Sequence, residues 1–284
     1  MKITFVTLTA LVLSFFAPEK KQEETKIPLC QGPANGMSLL AADPAFAKAH
    51  AEPLPFTYVS KAGEMIKFNT PDGKTAEGFL LKAKKPSDKW LLVYQEWWGL
   101  NDYIKKEAET YYNDLSDVNV LALDMYDGKV ATKQEDAAKY MQGADQTRLQ
   151  NITKGAIAYA GPKAKIASVG WCFGGMLSLQ SAILTGKQAV GCVMYYGFPI
   201  QDVSKLKTLD TDVLAFFGTK DGFIKQESVK EFEENMKKAN EKLTVKMYEA
   251  DHAFANPSNP NYDKAATEDA YKRSLTYLKA KLKA

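Results

Sequence analysis

The sequence predicts an α/β fold, in which a mostly parallel central sheet carries helices on both faces. Two observations support this prediction. From residue 90 onward, short apolar runs typical of buried strands alternate with segments of helical periodicity. Before them, the turn signal Pro71-Asp72-Gly73-Lys74 separates two strand-like runs and predicts a hairpin. With no internal repeat and no second core in the pattern, we expect one domain over residues 56–284.

Residues 1–17 combine the basic start Met1-Lys2 with an uncharged apolar stretch. This is typical of a secretory signal and is too short for a comfortable membrane span. It predicts export to the periplasm or the cell exterior, or a membrane tether, with a cytoplasmic location as the alternative. Cys30 invites a lipidation hypothesis, but Leu29 is not the small residue expected just before a lipidated cysteine.

Residues 18–55 are rich in Pro, Gly, Ala and charge and lack sustained periodicity. We interpret them as a linker or N-terminal extension with one short helix near residues 41–50. His50 has no companion at metal-ligand spacing, so it is expected to be a solvated histidine.

Composition excludes several classes of function. The formal net charge of +3 comes with scattered lysines and no basic tract, so no nucleic-acid partner is expected. Three cysteines do not make a disulfide framework, and Cys192 lies in an apolar run where a buried thiol is expected. The sequence shows no metal-ligand cluster and no phosphate-binding glycine loop, so neither a metal nor a cofactor is predicted.

The elements are predicted in the following order. The hairpin precedes a buried strand over residues 90–95, and Asn101 is the expected N-cap of a helix over residues 102–116. The remaining strands are expected at residues 118–123, 165–169, 189–196, 213–217 and, nearer the sheet edge, 243–248. Helices are expected at residues 133–142 and 147–159, after the strand at 165–169, around residues 229–239, and at the C-terminus.

The central motif is Gly170-Trp171-Cys172-Phe173-Gly174-Gly175, which joins a predicted strand directly to a predicted helix. Such a tight turn leaves no room for side chains two positions either side of its tip, so Gly170 and Gly174 meet a steric demand. The residue at the tip is exposed above the sheet, and here it is Cys172. This pattern indicates a nucleophile at an elbow between strand and helix.

Two further candidates follow later strands. Asp221 comes after the strand at 213–217, and His252 after the strand at 243–248. Functional residues of such sheets lie at the carboxyl ends of the strands, so these side chains are expected to meet Cys172. The order nucleophile, acid, histidine is that of the α/β-hydrolases. Imidazole would take the thiol proton, and the carboxylate would fix the tautomer of the ring.

With these residues in place, the sequence resembles the dienelactone hydrolase (carboxymethylenebutenolidase-like) family of the α/β-hydrolase fold. The resemblance runs from about residue 56 to the C-terminus. It rests on the cysteine elbow, Asp221 and three further segments: Gln95-Glu96-Trp97-Trp98-Gly99, Asp124-Met125-Tyr126 and His252-Ala253-Phe254. It implies that Cys172, Asp221 and His252 form a triad, and that Glu96 lies beside the thiol and helps to control its charge.

Fold and resemblance together imply an oxyanion hole made by the backbone N–H groups of Trp97 and Phe173. Trp98, Tyr126 and Phe254, with Trp97, are candidates for lining the substrate pocket.

The sequence departs from the family where members that act on dienelactone carry two arginines for the substrate carboxylate. Here Lys129 and Asn256 occupy those regions, and neither offers the planar fork of a guanidinium. The first hypothesis is therefore hydrolysis of a small ester or lactone through an acyl-enzyme on Cys172. A thioesterase and a non-catalytic small-ligand-binding protein are the alternatives.

Overall fold

The computed structural model describes residues 39–283, which form an α/β fold of the predicted kind. The predicted signal-like segment and Cys30 lie outside the described residues. Within residues 39–283, no helix is long and apolar enough to cross a membrane. The strands are β1 (Gly63–Asn69), β2 (Thr75–Leu81), β3 (Lys89–Tyr94), β4 (Asn119–Leu123), β5 (Lys165–Trp171), β6 (Ala189–Tyr195), β7 (Val213–Gly218) and β8 (Leu243–Tyr248).

Helices separate most of these strands. They are α1 (Pro44–Ala49), α2 (Asp102–Asp114), α3 (Gln134–Gln142), α4 (Gln146–Ala160), α5 (Phe173–Thr185), α6 (Val203–Leu206), α7 (Gln226–Ala239) and α8 (Lys264–Leu282). As predicted, Asn101 caps α2, and its side chain accepts a hydrogen bond from the Ile104 amide at 3.1 Å. The helix ends two residues earlier than the sequence predicts, because Leu115 is already extended.

The strands form one sheet in the order β1-β2-β4-β3-β5-β6-β7-β8. β1, β2 and β4 pair antiparallel, whereas β4-β3-β5-β6-β7-β8 pair parallel, as the alternating pattern predicts. In the parallel part, Tyr94 pairs with Gly170 and Trp171 with Tyr195. The last residues of β3, β5 and β6 therefore lie side by side at one edge of the sheet, where the site is built.

Burial follows the position of each strand in the sheet. β4 and β7 are buried along their whole length, and α5 packs most of its surface into the core behind the elbow. β8 is only half-buried and lies at the edge of the sheet, which confirms the edge prediction for residues 243–248. Cys192 is a free, fully buried cysteine in β6, also as predicted.

Candidate active site

The turn between β5 and α5 holds Cys172 in a strained conformation, with φ 54° and ψ −116°. Its amide donates to the Tyr195 carbonyl at 3.0 Å, which ties the turn to the end of β6. A Cβ on Gly170 would lie 2.1 Å from the Gly174 carbonyl oxygen, and one on Gly174 would lie 2.3 Å from that of Tyr94. Both glycines are therefore sterically required, in agreement with the elbow motif.

Asp221 follows β7 and contacts His252 from the loop after β8. Its Oδ2 atom accepts a hydrogen bond from Nδ1 of His252 at 2.7 Å. The other oxygen, Oδ1, accepts from the amides of Phe223 at 2.8 Å and Ile224 at 2.9 Å. Because three donors hold the carboxylate, its orientation is fixed, and the Nε2 atom of His252 is left free to face the elbow.

Cys172 and His252 lie close together, with the thiol sulfur and an imidazole nitrogen within 4.8 Å. Both side chains are buried, the cysteine completely, so the expectation that the residue at the elbow tip is exposed was wrong. Burial raises the pKa of the Cys172 thiol; His252 and the Phe173 amide favour the anion, whereas the nearby Glu96 carboxylate opposes it. Burial disfavours a charged His252, but Asp221 and Cys172 outweigh it and hold the imidazole pKa well above its usual value.

Glu96 follows β3 and is buried beside the thiol. The Tyr196 hydroxyl donates to Oε1 at 3.1 Å, and Nδ2 of Asn256 donates to Oε2 at 2.5 Å. Burial raises the pKa of the carboxyl to about 7, although the hydrogen bonds from Tyr196 and Asn256 and the charge of His252 favour the carboxylate. The carboxyl therefore titrates near neutral pH, next to the cysteine.

The aromatic residues proposed for the pocket are all buried, but they pack in different ways. Trp97 meets Trp98 edge-on at 4.9 Å, and Tyr126 stacks on Phe173 at 5.7 Å. Phe254 packs against the Tyr196 ring at 5.2 Å. Their roles in substrate binding, and those of the Trp97 and Phe173 amides in an oxyanion hole, stay predictions.

Lys129 is exposed, and its ammonium lies 5.6 Å from the centre of the Tyr140 ring. The arginines of the chain are occupied elsewhere. Arg148 pairs with Asp127 at 2.6 Å and with Asp72 of the β1–β2 turn at 3.4 Å, and Arg273 pairs with Asp269 at 2.7 Å. Both arginines are therefore paired with aspartates, and neither lies at the positions of Lys129 or Asn256.

The N-terminal extension covers the site, and here the sequence prediction for His50 was wrong. His50 is 1% exposed, and its ring lies 5.1 Å from that of His252 and 4.8 Å from that of Trp97. Phe46, on α1, is fully buried against Trp97 and Phe223 at 5.3 and 5.1 Å. Burial, reinforced by the His252 charge, lowers the pKa of His50 to about 3, so its ring is neutral.

Comparison with known proteins decides the family. The dienelactone hydrolase family profile matches residues 76–282, which is well over half of the chain. The chain belongs to the dienelactone hydrolase family. The chain is accordingly a hydrolase of the dienelactone hydrolase type, and the resemblance described from its motifs is confirmed.

Relatives agree with this assignment over nearly their whole length. The chain is 27% identical over 235 residues to protein usf of Aquifex pyrophilus, covering 76% of this chain and 98% of the relative. It is 26% identical over 228 residues to carboxymethylenebutenolidase 1 of Cupriavidus pinatubonensis, covering 75% and 95%.

Solved structures share the fold. A dienelactone hydrolase-like promiscuous phosphotriesterase from metagenomic libraries superposes with a TM-score of 0.67 at 22% identity, over 78% of this chain and 99% of that one. An esterase of Pyrococcus furiosus gives 0.61 at 14% identity, over 81% and 98%. These similarities confirm the α/β-hydrolase fold.

The sequence did not predict that His50 and Tyr196 lie in the candidate site, nor that Asn256 binds Glu96. Tyr196 directly follows β6, at the same sheet edge as Cys172, so its position at a strand end was an available signal. Asn256 was considered only as a replacement for a substrate-binding arginine. His50 lies in a segment with no sustained pattern, and only its spacing of four residues from Phe46 hinted at a shared helix face.

Proposed function

We propose that this dienelactone hydrolase family member cleaves small esters or lactones through an acyl-enzyme on Cys172. The observation that carries the proposal is the arrangement of Asp221, His252 and Cys172. The carboxylate holds Nδ1 of the imidazole at 2.7 Å, while the imidazole faces a thiol within 4.8 Å on a strained elbow. Nucleophilic acyl transfer requires a base beside the nucleophile and a third group that orients the base, and these three residues are arranged in that order.

The chemistry follows from these contacts. Nε2 of His252 takes the thiol proton, and the Cys172 sulfur attacks the carbonyl carbon of the substrate. As the tetrahedral intermediate collapses, the protonated imidazole returns the proton to the leaving alkoxide. Water then attacks the thioester with His252 as general base, which releases the acid and restores the thiol.

Backbone amides stabilise the oxyanion in this proposal. Phe173 is the first residue of α5, and the first N–H groups of a helix have no intrahelical acceptor. Its amide also adjoins the Cys172 thiol, where it favours negative charge. With the amide of Trp97, it would bind the negative oxygen of the intermediate.

Glu96 controls the resting state of the thiol in this scheme. Its carboxylate disfavours a neighbouring thiolate, and Tyr196 and Asn256 hold it in place. In the resting enzyme, Cys172 is then kept as a neutral thiol, which protects it from oxidation and unproductive alkylation.

The substrate class follows from the charges around the site. Asn256 is committed to Glu96, Lys129 lies over Tyr140, and both arginines are paired with aspartates. No residue at these positions offers a bidentate partner for a substrate carboxylate. We therefore propose an uncharged ester or lactone. Because Phe46 and His50 cover the buried thiol, their side chains must move before such a substrate can reach the sulfur.

The test is intact-mass analysis after brief exposure to a panel of activated esters, lactones and thioesters. We expect a transient acyl adduct and turnover with the wild type and with Cys192→Ala, whose cysteine is buried away from the elbow. Cys172→Ala should give neither. Faster turnover of thioesters than of matched esters would assign a thioesterase. Turnover that survives in Cys172→Ala would contradict the acyl-enzyme, and an inert wild type would favour a binding protein.

A further inference from the structure

Helix α1 brings a second histidine to Cys172. Nitrogen and sulfur atoms of His50, Cys172 and His252 all lie within 4.8 Å of one another, and the three side chains are buried. They come from separate elements: the end of α1, the β5–α5 elbow and the loop after β8. Because the sequence separates His50 from the elbow by more than a hundred residues, only the fold assembles this cluster.

The Nδ1 atom of each histidine, which faces away from Cys172, is hydrogen-bonded to a neighbouring group. Nδ1 of His50 lies 2.7 Å from the Phe46 carbonyl oxygen, and Nδ1 of His252 lies 2.7 Å from Asp221. Since both partners accept hydrogen bonds, both Nδ1 atoms act as donors. Within residues 39–283, both Nε2 atoms are buried and have no hydrogen-bond partner.

Both Nε2 atoms therefore lie beside the Cys172 sulfur in a buried space without a hydrogen-bond partner among the described residues. Buried polar atoms without partners are costly. A metal cation would satisfy both nitrogens and the sulfur at once. Carboxylate and carbonyl partners on the other ring nitrogen are the usual supports of metal-bound histidines, because they fix the tautomer and the ring orientation.

The donor types select the metal. One thiolate and two imidazoles suit a borderline-soft ion such as Zn²⁺, whereas Mg²⁺ and Ca²⁺ prefer oxygen ligands. Tetrahedral zinc with Zn–N bonds of about 2.0 Å and a Zn–S bond of about 2.3 Å places two nitrogens about 3.3 Å apart and a nitrogen and a sulfur about 3.6 Å apart. Separations of up to 4.8 Å exceed these distances by at most roughly 1.5 Å, a movement that side-chain rotation can supply.

We propose that His50, Cys172 and His252 form a three-ligand Zn²⁺ site that is complete only when α1 is docked. On binding, the Cys172 sulfur bonds to the metal as thiolate and releases its proton to the buffer, together with any proton on Nε2 of His252, and a water molecule takes the fourth tetrahedral position. If Cys172 is the nucleophile proposed above, the bound metal takes both the nucleophile and its base. Zinc then switches the hydrolase off, and chelation restores it.

The test uses the full chain, stripped of metal under reducing conditions and titrated with Co²⁺ as a spectroscopic probe for zinc. We expect uptake of one equivalent, visible bands of tetrahedral cobalt and a near-ultraviolet thiolate charge-transfer band. One equivalent of Zn²⁺ should abolish these bands, and a large excess of Mg²⁺ should not. Cys172→Ala should remove the charge-transfer band, while Cys192→Ala should retain it.

His50→Gln keeps a side chain of similar size but removes a metal ligand. It should weaken Co²⁺ binding by more than about 100-fold, because the loss of a residue that only supports a ligand already weakens metal binding by up to about 100-fold. Lys48→Ala, an exposed change on the same helix, controls for effects on α1 and should bind Co²⁺ like the wild type. Unchanged cobalt affinity in His50→Gln, or no charge-transfer band in the wild type, would overturn the proposal. The spectra require no turnover, so this result is independent of whether the proposed acyl chemistry is correct.

Discussion

Nδ2 of Asn256 donates a hydrogen bond to Oε2 of Glu96 at 2.5 Å, inside the site. At the same time, Oδ1 of Asn256 accepts from the amide and the hydroxyl of Ser258. The asparagine thus joins the loop after β8 to the carboxylate after β3. A position examined in the sequence for substrate binding instead holds the acid that lies beside the cysteine.

Asn256→Ala should destabilise the protein by about 1–3 kcal/mol, because it leaves buried polar groups without partners. It should also raise the pKa of Glu96 further, since a donor that favours the carboxylate is lost. Urea denaturation at pH 8 measures the loss of stability. Asn261→Ala, at a half-buried position in the same loop, should change it by less than about 0.5 kcal/mol. Equal effects of the two changes would contradict the role of Asn256.

Glu96→Gln should change how stability depends on pH. The folded-state pKa of Glu96 is raised from 4.5 to about 7, so the unfolded chain loses this proton at lower pH than the folded chain. The free energy of unfolding therefore falls as pH rises from about 4.5 to 7, by roughly 3 kcal/mol for this group. Glutamine does not titrate, so the variant should gain stability relative to wild type across this window. Denaturant midpoints at pH 5 and 8 measure the change, and parallel pH profiles would argue against a buried carboxyl with a raised pKa.

Asp221→Asn should abolish most activity while leaving the fold intact. The amide oxygen can still accept from the Phe223 and Ile224 amides, but the amide group no longer favours the required imidazole tautomer or its protonated form. A loss of about 10⁴-fold in kcat is expected by analogy with serine hydrolases. Asp251→Asn, at the exposed position next to His252, is the matched control and should stay within about twofold of wild type. Full activity in Asp221→Asn would exclude the proposed acid.

Gly174→Ala should prevent correct folding of the elbow. The new Cβ would lie 2.3 Å from the Tyr94 carbonyl oxygen and 2.4 Å from that of Gln95, and backbone atoms cannot move away cheaply. We expect a loss of at least about 3 kcal/mol or insoluble protein. At Gly222 nothing lies within 4 Å of an added Cβ, so Gly222→Ala should fold normally. Thermal unfolding of soluble material compares the two variants.

Phe46→Ala should expose Cys172 to reagents in solution. The ring is fully buried against Trp97, Phe223 and His252, so its removal weakens the docking of α1. Alkylation of Cys172 by iodoacetamide, followed by peptide mass analysis, should accelerate at least about tenfold, because the open state becomes more populated. Lys48→Ala on the same helix should leave the rate unchanged. A rate that Phe46→Ala does not alter would show that α1 does not limit access to the thiol.

The sequence alone determined the fold class, the order of strands and helices and the elbow. These features depend on local signals: strand-length apolar runs, helical periodicity, and glycines that a tight strand-to-helix turn requires. Position at strand ends also brought Asp221 and His252 to the expected edge of the sheet, since parallel strands all point the same way. The tertiary structure decided which other side chains meet there.

Glu96 shows the difference, because its position beside the thiol was predicted but its partners Tyr196 and Asn256 were not. His50 shows it more strongly. A polar histidine in an irregular segment gives no sequence signal of burial, yet docking of α1 through Phe46 places it against His252. Contacts between segments so distant in the chain depend on how surfaces fit together. Local periodicity, which reflects only neighbours within a few residues, carries no information about that fit.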